Sequence, residues 1–360
     1  MGSSLCVMAA PCWLFRNGRY GFGRIKIASA HCRIAGSISR ASTAPSKQTP
    51  STIVKPLAKT GQYVISKFKF FLEGYDKILK KFPVAYRLHQ VFLVGTRDLY
   101  QDVRNYMKIS QDLRAGKSVR ELSRKELELY YQVPRDILKV APTLLVISLP
   151  GTNFFMFPLV YLFPRQLLTW QFWSLEQRVD YSVAAQKKKV YSFRSVFRHL
   201  QSKVPQGEEG KTLLGVFHKL GSGTHPTVAE VLAIKQYFST KPLSLSSLSR
   251  NHLVALCRIH GKSTFFLGRK RRLWKHGGFV REMDLAMARE GLGQMDLSEL
   301  RWACFLRGIN PMGLSKRDMV LWLQDWIHIS SNIEGDCISL LLHCPVLLAY
   351  NAPSNWILIH

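Results

Sequence analysis

The densest chemistry in this sequence is positive charge. Arg269, Lys270, Arg271, Arg272 and Lys275 crowd together, with Arg258 and Lys262 just upstream. From Val231 to Arg281 there are eleven Lys or Arg and no Asp or Glu. Charge concentrated in this way attracts phosphate backbones without reading sequence. Anionic lipid headgroups are the competing ligand, and the residues favour phosphate-bearing RNA. Lys187, Lys188 and Lys189 make a secondary cluster. Phe265, Phe266 and Trp274 are interleaved with the first cluster, and their spacing reads as core rather than as stacking platforms.

Other chemistry fails on spacing. Gly210-Lys211-Thr212 resembles the end of a phosphate loop, but Pro205 stands where the first glycine is required. His252 and His260 have no acidic partner nearby, and no HExxH or GxSxG motif occurs. None of the seven cysteines forms a CxxC pair; Cys337 and Cys344 read as core. An enzyme is not expected, nor a cofactor or a metal site.

The elements around these residues read as helical throughout, without an alternating strand of useful length. Val64, Phe68, Phe71, Tyr75, Ile78 and Phe82 mark one helix face, ended by Pro83, and a second helix follows over 84–113. Ser123 and Glu126 have capping-box spacing, opening a helix toward Pro134. Ser174 and Gln177 repeat the signal. Gly207 to Gly210 and Gly221 to Pro226 are breaks. Further on, Leu253, Cys257, Gly261 and Leu267 match Leu300, Cys304, Gly308 and Leu314 at an offset of 47. Each copy reads as helix, glycine stop, loop with one buried Leu, and second helix. Acids at Glu282, Asp284, Glu290, Asp296 and Glu299 follow the basic stretch, so the domain is expected to be dipolar.

Val140 to Phe163 is a run of 24 residues without a charge, enough to cross a hydrocarbon core in one helix. Pro142, Pro150 and Pro158 should kink it, and the freed carbonyls call for packing against a neighbour or another copy. A buried helix of a soluble protein is the alternative. Flanking charge leaves the orientation open, with nine Lys/Arg over 100–139 and eight over 164–203. The uncharged stretch from Ile338 onward reads as a buried helix ending near Tyr350. Before Leu72 there are eleven Lys or Arg and no acid, with Ser and Ala between them, which describes a mitochondrial transit peptide. The resulting organisation is transit peptide and linker over 1–45, helical pre-membrane region over 46–136, membrane helix over 137–164, basic helical domain over 165–350 and tail over 351–360.

These stretches in order resemble the LETM-domain family, the leucine-zipper/EF-hand transmembrane proteins of the mitochondrial inner membrane. The resemblance is carried by Leu122 to Glu126, by Leu162-Phe163-Pro164-Arg165 and by Leu248 to Cys257. It continues through Glu290-Gly291-Leu292, Glu299 to Gly308, Gly313-Leu314, Trp322-Leu323, Trp326 and Ser339 to Leu342. It is closest to the shorter kind of member, since no long coiled coil and no D-x-[DN]-x-[DN]-G calcium loop is present. It implies an all-α fold, a single inner-membrane helix, a matrix-facing domain and association with the mitochondrial ribosome. The expected function is therefore an inner-membrane anchor that docks the ribosome and supports mitochondrial structure and respiratory-chain biogenesis. Inner-membrane lipids and further copies of the chain are the other expected partners. Two alternatives stand beside it: a subunit or regulator of cation/proton exchange, and a lipid-binding structural protein.

Overall fold

A computed structural model of the chain describes residues 83–148, 152–205 and 207–359. The transit peptide, the helix expected over 64–82 and Pro150 lie outside them. The described residues fall almost wholly in one compact unit beginning at Val94; the other unit, Arg19–Leu93, contributes only the start of the first helix. Among the described residues every regular element is helical.

The first helix, α1, runs Pro83–Arg114. Helix α2 (Arg124–Ser148) opens on the expected capping box, with Ser123 N donating to Glu126 Oε2 at 2.8 Å and Glu126 N to Ser123 Oγ at 3.3 Å. It does not stop at Pro134. It continues through Pro134 and Pro142 to Ser148, although each internal proline costs about 3 kcal/mol. Burial of Leu127, Val133 and Val140 offsets that cost. Helix α3 (Asn153–Leu162) contains Pro158 and packs back against α2.

No single described helix is long and apolar enough to cross a membrane. The kinked single span expected over 137–164 is divided here between the end of α2 and α3, which pack on one another. Lys139 Nζ donates to the Arg165 carbonyl at 2.8 Å and Thr143 Oγ1 to that of Leu167 at 3.1 Å.

Helices α4 (Leu175–Tyr191), α5 (Phe193–Gln201), α6 (Lys211–Gly221) and α7 (Val228–Ala233) lead into the repeated part. There α8 (Arg250–Ile259) precedes α9 (Arg269–Glu290), and α10 (Leu297–Leu306) precedes α11 (Lys316–Ser331). The two copies end their opening helices identically. Lys262 N reaches the Cys257 carbonyl and Gly261 N that of Arg258; Ile309 N reaches Cys304 and Gly308 N reaches Phe305. Both are Schellman turns, and both glycines have positive φ, 59° and 96°.

Helix α12 (Ile338–Ala349) is the centre of the molecule, and all of its residues are buried. It packs on α5, α8, α9 and α11. Its approach to α9 is close because position 277 is glycine; a Cβ there would collide with Ile338. Together α11 and the 335–349 segment have membrane-like length and composition, but they are bent by 120° and α12 is core. Residues 351–359, expected as a tail, are built in. Asn355 is fully buried, accepts from Asn310 N at 2.8 Å and donates to the Gly308 and Ala349 carbonyls.

Candidate functional site

The basic cluster is the loop 263–268 and the first turns of α9. Gly268, in the left-handed region, starts the helix without a side-chain cap. Arg269, Lys270, Arg271 and Arg272 then occupy a turn where the helix dipole disfavours cations. In the second copy the equivalent helix has a full capping box, Ser315 with Asp318. Local stability is thus sacrificed in the first copy, where the charge is.

Five residues expected to act alike divide into two groups. Arg272 folds back over the loop and donates to the carbonyls of Ser263, Phe265 and Leu267. Arg269 Nε donates to the Thr264 carbonyl at 2.8 Å, and Lys270 Nζ to that of Ser246 at 2.6 Å. Arg269 and Arg272 thus brace the loop, and Lys270 ties the start of α9 to Ser246. Arg271 and Lys275 are exposed, as is Arg258 on α8. The aromatics overturn the core expectation: Phe265, Phe266 and Trp274 are 57%, 58% and 54% exposed, and Leu267 is equally open. The loop is held by its own arginine, so the hydrophobic side chains are left at the surface instead of being drawn inward. An exposed aromatic pair, Phe265 and Phe266 at 4.8 Å, beside flexible cations can stack on bases while the cations meet phosphates.

The secondary cluster also divides. Lys187 and Lys188 are exposed, whereas Lys189 lies over the Phe305 ring at 4.5 Å. Burial brings Lys189 down to about 8. Lys262 is also brought to about 8, by burial first and then by Arg135 and Lys189. Neither is the open phosphate ligand that the sequence suggested.

Three of the acids after the basic stretch are engaged inside the fold. Asp284 is buried, accepting from Arg307 Nε at 2.9 Å and from Trp326 Nε1 at 2.9 Å. Glu299 takes Arg124 at 2.9 Å and Lys125 at 2.8 Å, and Glu290 accepts from Arg124 N at 2.6 Å. With 51 Lys and Arg against 23 acids, the net field of the chain is positive. Nothing in the sequence marked Arg307 or Asn355 as structural anchors, because their partners are 23 and 45 residues away.

The apolar run carries a second surface. Its foot holds Trp173, with Lys139 5.2 Å from the ring, and Tyr181, with Arg165 at 5.6 Å. Gln171 Nε2 bridges two carboxylates there, Asp102 at 3.1 Å and Asp136 at 3.3 Å. Pro142 and Pro158 lie within helices that continue past them. Among the described residues the four cysteines, Cys257, Cys304, Cys337 and Cys344, are free and buried, and burial pushes the Cys304 thiol up to about 12.

Fold and surface together define an all-helical domain with a basic, aromatic-edged loop, joined to a folded apolar run. The family model described as "LETM1-like, RBD" matches residues 122–347, and the chain belongs to that family. It is 31% identical to a LETM1 domain-containing protein 1 from Xenopus tropicalis, over 84% of this chain and 86% of that one. The corresponding Homo sapiens protein is 29% identical over 84% and 85%. A mitochondrial proton/calcium exchanger protein of Drosophila melanogaster is 28% identical over 71% of this chain but 26% of its own length.

Proposed function

We propose that this chain is a mitochondrial inner-membrane anchor whose basic loop docks the mitochondrial ribosome through RNA phosphates. Attachment is through the 140–163 run, and docking supports respiratory-chain biogenesis. The observation that carries this reading is the exposed set Phe265, Phe266, Arg271, Trp274 and Lys275 in a stretch without an acid. Family membership supports it. The test is co-sedimentation of the detergent-solubilised full chain with purified mitochondrial ribosomes across a salt series. The whole chain is needed because α2 is pinned to the domain by Arg124. Binding should weaken with salt, and Arg271→Gln with Lys275→Gln should flatten the log–log slope by about 0.7–0.9 per lost contact. No binding at low salt would sink the reading.

The Asp102–Gln171–Asp136 bridge at the foot of the run supports a second reading, proton-coupled cation passage. Proton-driven K⁺ or Ca²⁺ flux through the reconstituted protein, abolished by Asp136→Asn, would favour it.

A further inference from the structure

We propose that the 140–163 run enters one leaflet of the membrane as a helical hairpin, so that both of its flanks stay on the same face. The inference rests on the membrane-attachment reading and concerns how that attachment is made. Its cover is lipid acyl chains.

The return contacts come first. In an unbroken helix Lys139 and Arg165 would stand about 39 Å apart at 1.5 Å per residue. Here the Lys139 ammonium bonds the Arg165 carbonyl at 2.8 Å. The cationic ends of the apolar run are therefore side by side, not on opposite sides of a slab.

Length agrees. Nine residues of α2 beyond Lys139 and ten in α3 give arms of about 13 and 15 Å. Each is about half of the ~30 Å hydrocarbon core, the depth of one leaflet.

The surface is lipid-like where it should be. Leu145, Tyr161 and Leu162 are 68%, 62% and 67% exposed on the two arms, with Val146, Leu159 and Phe163 beside them. Val140 and Val160 are buried instead. The carbonyl that Pro150 deprives of its helical donor is met internally, since Thr152 Oγ1 donates to Val146 at 2.5 Å, and Thr143 Oγ1 ties α2 to the Leu167 carbonyl. At the foot, Trp173 donates from Nε1 to the Pro164 carbonyl at 3.1 Å beneath the two cation–ring pairs. Aromatic rings with Lys and Arg at one level are an interfacial belt suited to anionic headgroups.

The experiment uses the full chain imported into mitochondria whose outer membrane is then ruptured, leaving the inner membrane sealed. Cys6, Cys12 and Cys32 are changed to Ser, and the remaining cysteines are buried. Ala115→Cys, before the hairpin, and Ala184→Cys, after it, are exposed positions. Each is treated with a membrane-impermeant maleimide before and after detergent. A hairpin gives the same result at both sites, either both modified or both protected until detergent is added. Modification of one and protection of the other would overturn the hairpin but leave the anchor intact. Full release of the protein by alkaline carbonate would overturn the anchor and the hairpin together.

Discussion

Arg307 and Asp284 show how much depends on single residues far apart in sequence. Both are fully buried, and Arg307 Nε, Trp326 Nε1 and the Ala303 carbonyl satisfy the pair. Asp284→Asn would leave the guanidinium buried without a counter-charge. Loss of one partner of such a pair costs about 3–5 kcal/mol, read as a lowered denaturant midpoint. A second residue-scale prediction concerns acid. His343 Nδ1 faces the Ser339 carbonyl at 2.6 Å, so it donates, and its Nε2 must accept from His252 Nε2 at 2.9 Å. Burial holds His343 at about 4; burial, then the neighbouring His343 and His199, hold His252 at about 2. Both lie below the unfolded value of about 6.5. The unfolded chain therefore binds more protons between those values, and stability falls as pH drops below about 6.5. The slope is about 1.4 kcal/mol per pH unit for each histidine. Thermal unfolding at pH 7.5 and 5.0 measures it, and an unchanged Tm would contradict the assignment.

At the scale of elements, the two helix–loop–helix copies are the same device put to different uses. Gly261 and Gly308 end α8 and α10 in matching turns, but their surroundings differ. A Cβ at 261 has only the Lys189 side chain at 3.9 Å, whereas at 308 it would press on Pro345 at 2.9 Å. Gly261→Ala should cost about 1–2 kcal/mol for the left-handed backbone alone, and Gly308→Ala more, as calorimetry of the pair would show. The closing helices diverge too, one capped and one opening on four cations. Arg271→Gln should leave Tm unchanged, since the side chain is exposed. Arg272→Gln should lower Tm, because three loop carbonyls lose their donor.

At the scale of the molecule, the link between α2 and the domain decides how the apolar run is held to the part that carries the basic loop. Arg124 bonds Glu299 and Glu290, and Arg289 donates to the Leu122 carbonyl at 3.0 Å. Leu122, Leu127, Met283 and Ala286 form an apolar cluster beneath them. Glu299→Gln should therefore speed amide exchange over 122–133 while leaving α12 protected, a pattern that hydrogen-exchange mass spectrometry resolves.

Periodicity and capping are local, so the helical character, the starts at Ser123 and Ser174, the glycine stops and the buried helix after Ile338 could be read from the sequence alone. So could the acid-free basic stretch and the family, since both are properties of order and composition. What the chain does with those elements was decided by tertiary contact. Whether the two ends of a 24-residue apolar run meet depends on Lys139 finding Arg165. Whether an aromatic is core or surface depends on Arg272 holding its loop away from the domain. Whether an acid is a face or an anchor depends on an arginine 23 residues away. Each is a pairing between distant positions, and hydrophobic and charge patterns, which report only the immediate neighbours along the chain, do not carry it.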